Sequence, residues 1–556
     1  MSELDKIILT GWIPDFEQKH FYPGEVEIKK GRINRINVTG SERIKKINEM
    51  AGKKVILPGL IDAHVHVESS MMTPVGFSSI ALQHGTVAVV GDPHEIANVC
   101  GEEGIDFMIR EADTVPLKFF FTVPSCVPAT LLEPSGAEIN AATIKSIIDH
   151  GNFVALGEMM NFPGVIERDP EVMKKIKVAQ EAGLPVDGHA PGMGGDALKK
   201  YIGAGIMTDH ECSTKEEAEE KLALGMWILI REGSAAKNFN ALASLIEKYH
   251  DKTMLCTDDI HPDDLCEGHI DRMIKYGISM GIDFFSLYQA AALNPIKHYK
   301  LPVGNLTTET WADFIVVDDL TDFSVSQTWI NGRCVYDKKQ ITHYGEYLDP
   351  VNRFNHISLK PDDLKITGES GHYRVIEVID KSLLTKRSEF DIHTDDGLIR
   401  SDTERDLLKI AVVNRYRKEP VAVGLIHGFN LKYGALASSI SHDNHNLVIV
   451  GVNDRAMIRT AQAVIDAGGG IAAGDQDKVE LLPLEVGGLM SRKPPENIAK
   501  SYRRLNKMAE QLGTTLTAPF MTLAFMALLV IPELKIGSKG LFDVGKFEFV
   551  SNRING

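Results

Sequence analysis

Apolar and polar positions follow two rhythms along this chain. Residues 5–50 hold short runs such as Ile7-Ile8-Leu9, Val26-Glu27-Ile28 and Ile33-Asn34-Arg35-Ile36, separated by Gly and Pro turns. That is the period-two signature of small antiparallel strands. Residues 300–345 repeat it in Ala312-Asp313-Phe314-Ile315-Val316-Val317 and in Thr328 to Tyr336. The two pieces are expected to form one small β-sandwich domain, 1–54 with 301–345, into which the intervening chain is inserted.

Between them, residues 55–300 show short apolar strands alternating with helical stretches, the pattern of a parallel α/β fold. The first strand is the apolar run from Val55 that ends abruptly in His64, His66 and Glu68. Seven more follow: Thr86 to Val90, Phe119 to Val123, Phe153 to Leu156, Leu184 to Asp187, Ile206 to Asp209, Met226 to Ile230 and Thr253 to Cys256. Eight strands in this span predict a (β/α)8 barrel, whose chemistry lies at the carboxyl ends of its strands. Residues 346–370 are polar, carry Pro350, Pro361 and Gly368, and read as a linker. Residues 371–556 read as a further α/β or α+β domain, with strands at Tyr373 to Val378, Val421 to Ile426 and Asn446 to Val452 and helices at Asp454 to Ala467 and Pro495 to Gly513. The longest apolar run, Leu516 to Ile531, is broken by Thr517, Pro519 and Thr522. It falls short of the roughly 20 residues a bilayer requires, so it is assigned to buried core.

Composition changes this picture in three ways. A chain of 556 residues exceeds one core and suggests two to four domains. A formal net charge of -16 argues against nucleic acid or an anionic membrane as partner, since both attract Lys and Arg, and favours a small neutral or cationic substrate. The six cysteines are scattered, with no Cys-x-x-Cys, as in a reduced cytoplasmic protein. The opening Met1-Ser2-Glu3-Leu4-Asp5-Lys6 lacks the basic start and apolar core of a signal peptide.

The strand ends carry the candidate chemistry. They read His64-Val65-His66-Val67-Glu68, Gly91-Asp92-Pro93-His94-Glu95, Gly157-Glu158-Met159, Gly188-His189-Ala190, Asp209-His210-Glu211 and Thr257-Asp258-Asp259. Side chains on a strand alternate, so His64 and His66 point the same way, as two imidazoles sharing one cation must. An isolated His-x-His is more often structural. Histidines and carboxylates at six of eight strand ends have no structural reason to gather there. Four imidazoles (His64, His66, His189, His210) with Glu158 and Asp258 suit two divalent ions a few ångströms apart, the arrangement that activates a water. Such ligands accommodate Mn, Fe or Zn. The zinc deaminases that pair His-x-Glu with Pro-Cys-x-x-Cys are excluded, because His66-Val67-Glu68 has no Cys-x-x-Cys to accompany it.

The phrases Pro58-Gly59-Leu60-Ile61-Asp62-Ala63-His64-Val65-His66-Val67-Glu68-Ser69-Ser70-Met71-Met72-Thr73-Pro74, Gly91 to Val99 and Cys256-Thr257-Asp258-Asp259 resemble the amidohydrolase superfamily and, within it, the bacterial adenine deaminase family. The resemblance runs on through Gly470-Ile471-Ala472-Ala473-Gly474-Asp475 and Leu484 to Ser491, and so covers nearly the whole chain. Many binuclear superfamily members bridge their metals with a carboxylated Lys on the fourth strand. Here that strand ends Ala155-Leu156-Gly157-Glu158-Met159-Met160, which makes Glu158 the expected bridge.

The resemblance implies hydrolysis of adenine to hypoxanthine and ammonia in purine salvage, with two divalent ions, manganese or iron and foremost manganese, and a homo-oligomer, with a dimer as the expectation. It implies Asp258 as the group that takes and returns a proton. Asp259, expected to point elsewhere, is a candidate to hold a purine nitrogen, against the plainer reading of a turn or helix cap. Glu68, Ser69, His94 and Glu95 are further candidate substrate contacts, and His94 and Glu95 have first-rank metal roles as an alternative. Glu211 reads either as a proton shuttle or as a partner to His210. Ser441-His442-Asp443-Asn444-His445-Asn446 reads as a polar turn rather than a second metal site. The barrel-end phrases show acids, His and small residues but no Arg or Lys, which favours a substrate that donates hydrogen bonds over the charged cyclic amides of other relatives. The competing readings are another amidohydrolase acting on a cyclic amide or amidine, and an inactive purine-binding barrel. The filled set of strand-end ligands argues against the last.

Overall fold

Gly59 divides the opening apolar run between two sheets. In the computed structural model, which describes residues 6–554 apart from 131, 235, 339 and 395, Val55–Pro58 pairs antiparallel with Phe314–Val317 in one sheet. The next strand, Leu60–Val65, opens a different one. A Cβ on Gly59 would stand 2.3 Å from the side chain of Val87, so only glycine lets the chain cross there. The expected single strand from Val55 is therefore two, a division invisible to periodicity because both halves are fully buried. Residues 1–5, read above for a leader, lie outside the described residues.

The chain forms two compact units. The first comprises residues 1–94, 108–125 and 140–348. Its N-terminal and post-barrel segments share one eight-stranded sheet, in which Lys6–Asp15, His20–Lys29 and Arg32–Val38 form a meander joined through Val55–Pro58 to Phe314–Val317, Val325–Ile330, Arg333–Asp337 and Gln340–Ile341. One face of this sheet buries Ile13, Val26, Ile28 and the stacked rings of Phe314 and Trp329. The other buries Phe21, Leu57 and Ile315 together with the barrel residues Ile228, Leu255, Phe284 and Tyr288.

The barrel strands are β1 (Leu60–Val65), β2 (Thr86–Gly91), β3 (Lys118–Val123), β4 (Phe153–Met159), β5 (Val186–Gly188), β6 (Thr208–Asp209), β7 (Trp227–Arg231) and β8 (Thr253–Cys256). β1 to β5 form one parallel sheet and β6 to β8 another. Parallel bridges Val186↔Ile206 and Val65↔Asp258 close the ring, giving the (β/α)8 barrel expected from the alternation. The seven strands after the first match their predicted positions within a few residues.

The second unit comprises residues 95–107, 126–139 and 349–556. Its centre is an eight-stranded sheet running from Thr385–Ile392 through Gly371–Val378, Ala422–His427, Leu407–Val413, Leu447–Gly451, Ala435–Ser438 and Gly470–Gly474 to Val479–Pro483. The helix Asp454–Asp466 lays Met457, Ala461 and Val464 on this sheet, held at its start by the Asn453 side chain accepting from the Ala456 amide. The run Leu516 to Ile531 contains a short helix, Pro519–Ala524, and buries Phe520, Leu523 and Met526. No described helix is long and apolar enough to cross a membrane.

Within this unit Glu133 is buried, accepting from the Ser538 amide at 2.9 Å and Asn444 Nδ2 at 3.1 Å. Burial outweighs these bonds and pushes its pKa up to about 7. The folded chain thus keeps this proton where the unfolded chain has lost it, and stability falls as pH rises from the ordinary carboxylate range to about 7. The full penalty, on the order of 3 kcal/mol, then persists at higher pH. Glu133→Gln should raise the melting temperature relative to the parent at pH 8 and lose that advantage near pH 5. An equal difference at both pH values in calorimetry would show that Glu133 is not the titrating group.

Candidate metal centre

The carboxylate of Glu158, at the end of β4, lies among five imidazoles. Its Oε1 is 3.2 Å from His66 Nε2, 3.6 Å from His94 Nδ1 and 4.0 Å from His64 Nε2. Its Oε2 is 2.7 Å from His189 Nδ1 and 3.2 Å from His210 Nε2. Each oxygen thus faces its own group of rings. Asp258 completes the first group, with Oδ1 3.2 Å from His66 Nε2 and 3.7 Å from His64 Nε2. The structure therefore brings together all six residues expected from sequence to bind metal, and adds His94, whose ring packs edge-on to His66 at 4.5 Å.

Backbone clamps aim these side chains. Asp258 has a φ of 57°, a left-handed conformation that Asp tolerates better than most residues. Its N–H donates to His64 O at 2.9 Å while its carbonyl accepts from the His66 amide at 3.2 Å, so β8 is locked to β1. Buried Asp62 accepts from the amides of Thr257 at 3.1 Å and His64 at 3.3 Å. Asp92 Oδ2 accepts from the Glu158 amide at 3.0 Å, an approach that requires Gly157, where a Cβ would stand 2.3 Å from that same oxygen. Asp209 takes the Ala190 amide at 2.8 Å and the fully buried Lys221 Nζ at 2.9 Å, tying β5 to β6. His66 Nδ1 lies 3.0 Å from the Asp92 carbonyl, and donation there leaves Nε2 directed at the carboxylates.

The electrostatics separate the rings. Burial pushes the His64 pKa down to about 3, with His210 and His66 adding to the effect. Burial also disfavours charge on His210, but hydrogen bonding and charge from Glu158 outweigh it and lift that ring to about 9. His66 is raised too, Asp258 and Glu158 overcoming its burial. Glu158 and Asp258 are held well below the usual carboxylate range against their burial, by His189 and His210 in one case and chiefly Arg231 in the other.

Several triads of these residues place one ligand atom each within 4.8 Å of one another: His64–His66–Glu158, Glu158–His189–His210, His64–His210–Asp258 and Asp92–His94–Glu158. His64 Nε2 is buried with no hydrogen-bond partner among the described residues, a lone pair with no other use. The donor set of imidazoles and carboxylates suits divalent cations, and the residues fit a metal centre.

The remaining predicted residues divide. Glu68 and Ser69 are buried just beyond β1, and Ser69 Oγ donates to Asp259 Oδ1 at 2.5 Å. Asp259 was expected to point elsewhere, yet it forms a possible ligand triad with His66 and Asp258, because the tight turn of Asp258 brings the following carboxylate back to the rim. Glu211 Oε1 is 3.4 Å from His210 Nε2. Glu95 belongs to the second unit, where its carboxylate is held by His442 Nδ1 at 2.6 Å and by His445 Nε2. The polar turn at 441–446 thus supplies two imidazoles to a carboxylate, and His445 Nδ1, accepting from the Ser441 amide at 3.3 Å, leaves Nε2 to donate.

The expectation of a mouth without Arg or Lys fails. Arg231, the last residue of β7, donates to both oxygens of Glu211, at 2.5 and 2.9 Å, and to Asp258 Oδ2. The predicted strand stopped at Ile230, one residue short. The signal was an arginine directly continuing a buried apolar strand.

Residues 55–335 match the amidohydrolase family and residues 382–548 the adenine deaminase C-terminal domain. An adenine deaminase of Methanosarcina mazei is 47% identical over 97% of this chain and 98% of its own. One from Parabacteroides distasonis is 43% identical over 99% of both chains. Among solved structures, the β-aspartyl dipeptidase of Fervidobacterium islandicum aligns with a TM-score of 0.45 at 16% identity, over 61% of this chain and 100% of that one. The chain, which carries both an amidohydrolase-family region and the adenine deaminase C-terminal domain, belongs to the adenine deaminase family.

Proposed function

We propose that the chain hydrolyses adenine to hypoxanthine and ammonia at the β1–β8 strand ends, within purine salvage in the cytoplasm and as a homo-oligomer, a dimer. The observation that carries the site assignment is the shared carboxylate of Glu158, one oxygen facing His64, His66 and His94 and the other His189 and His210. In this reading the residues that would hold two divalent ions, manganese foremost, are His64, His66, His189, His210, Asp258 and Glu158. Bound there, they would lower the pKa of water toward 7 and so supply a nucleophile at neutral pH.

The chain's own groups manage the rest. As the C6–O bond forms, Asp258 accepts one proton of the water and returns it to N6, so that the C6–N6 bond breaks with ammonia as leaving group. The second proton of the water ends on N1, giving the 6-oxo ring. Glu68, Ser69 and Asp259 line the same rim, and ionised carboxylates there accept from ring N–H groups. Arg231 does not revive the cyclic-amide alternative, because both of its Nη atoms are already engaged by Glu211 and Asp258. Glu211, fixed by that guanidinium beside His189 and His210, orders this half of the site and is the second candidate for proton transfer.

Three outcomes test this reading. Ammonia release from adenine should vanish on metal removal and return with Mn, with little release from adenosine or cytosine. Opening of dihydropyrimidine rings, with adenine untouched, would overturn the substrate. Glu158→Gln, which removes the negative charge that would lie between the two cations, should lose metal and lower the rate by orders of magnitude. Normal metal content and turnover in that variant would remove Glu158 as the bridge. Asp258→Asn should keep at least one metal per chain while turnover falls by about 10² to 10⁴. Undiminished ammonia release by the folded variant would exclude Asp258 from proton transfer.

A further inference from the structure

Arg231 stands between two carboxylates that belong to neighbouring strand ends, Glu211 after β6 and Asp258 after β8. It is buried, with 7% of its surface exposed. Its backbone is fixed as well: the Arg231 amide donates to Asn238 Oδ1 at 2.8 Å, and Asn238 Nδ2 donates to the carbonyls of His210 at 3.2 Å and Cys212 at 3.0 Å. The guanidinium therefore leaves a rigid anchor rather than a loop.

What it does to each carboxylate is specific. Asp258 is divided: Oδ2 accepts from Arg231 Nη1, while Oδ1 faces His66 at 3.2 Å and His64 at 3.7 Å. Glu211 is gripped at both oxygens, with Oε1 left 3.4 Å from His210 Nε2 and 3.7 Å from His189 Nδ1. One planar fork thus presents a single oxygen of Asp258 to the first group of rings and holds a whole carboxylate beside the second group without releasing either of its oxygens. Neutralising charge alone would not need this geometry. A lysine ammonium could balance the same carboxylates, but a point charge cannot fix three oxygens in one plane.

We propose that Arg231 is a positioning residue that apportions the carboxylates of the metal centre: it restricts Asp258 to one ligating oxygen and keeps Glu211 from becoming a ligand beside His189 and His210. This rests on the proposed metal centre and deepens it. Without the fork, Asp258 is free to turn both oxygens inward and Glu211 to swing onto the second ion. Both changes raise the number of protein oxygens on the ions at the expense of water and substrate.

The test uses the full-length chain loaded with Mn. Arg231→Ala, Arg231→Gln and Arg231→Lys are compared with the parent for metal content, for the Mn(II) electron paramagnetic resonance and X-ray absorption spectra without substrate, and for adenine kcat and KM. Arg231→Ala is expected to keep both metals, to show altered Mn coordination, and to lose about 10²-fold in kcat, the scale of an ångström misplacement, with KM little changed. Added guanidinium should restore part of that kcat and shift the spectrum back, and Arg231→Lys should reproduce the altered spectrum.

Parent-like spectra and kcat in Arg231→Lys would overturn the proposal in favour of charge balance. A loss in Arg231→Ala that guanidinium leaves unchanged, with a parent-like spectrum, would overturn it too. Should Arg231→Ala fail to fold, the spectra of Arg231→Gln and Arg231→Lys decide by the same criterion. A parent protein inactive on adenine would sink the substrate assignment alone, since the spectra are read without substrate.

Discussion

The structure of the site depends on one carboxylate being made to serve two groups of imidazoles. Burying Glu158 as an anion costs several kcal/mol unless opposing charge or hydrogen bonds replace water. Rings arranged about both oxygens replace it, at distances between 2.7 and 4.0 Å. A carboxylated lysine would carry its carboxylate further from the backbone. With glutamate the strand end itself must come close, and Gly157 with the Asp92 clamp on the Glu158 amide brings it there.

The same cluster holds histidines shifted in opposite directions, and geometry explains the split. His66 and His210 each have a carboxylate oxygen at 3.2 Å, near enough to stabilise an imidazolium despite burial. His64 has none nearer than 3.7 Å and stacks on His210 with ring centroids 4.4 Å apart, so burial dominates and its neighbouring imidazoles add to it. Its neutral form is the one that ligates a cation, and its Nε2 has no hydrogen-bond partner among the described residues. Proximity to acid sets the direction of the shift at His64, His66 and His210, and the clamps from Asp62, Asp92 and Asp209 set that proximity.

Much of this was legible in the chain because barrels place chemistry at one end of short apolar strands, and those strands announce themselves by length and alternation with helices. His64 and Glu158 sit in the last residues of such strands and His66, His189, His210 and Asp258 within two residues past them, so topology gathered them. What escaped notice escaped for physical reasons. The split at Gly59 falls inside a continuous buried run, where no period exists to read. Arg231 lies one residue past an apolar strand, and its long side chain reaches two positions, Glu211 and Asp258, that are 20 and 27 residues away. The partners of Glu95, His442 and His445, are 347 and 350 residues distant, beyond any local pattern, so that a residue read from its place at a strand end turned out to be engaged in the second unit.

The placement of Arg231 also bears on why acids can crowd this mouth at all. Asp92, Glu158, Glu211, Asp258 and Asp259 gather within one strand-end cluster, and bound cations would balance only those oxygens turned toward them. The oxygens turned away need a fixed counter-charge that does not compete as a ligand. A guanidinium meets that need: it has no lone pair to offer a metal, stays charged at every working pH, and satisfies two carboxylates in one plane. Asp258 can then present one oxygen inward while its other oxygen is held, and Glu211 is held at both, which separates the charge that would bind metal from the charge that must be kept out of its way.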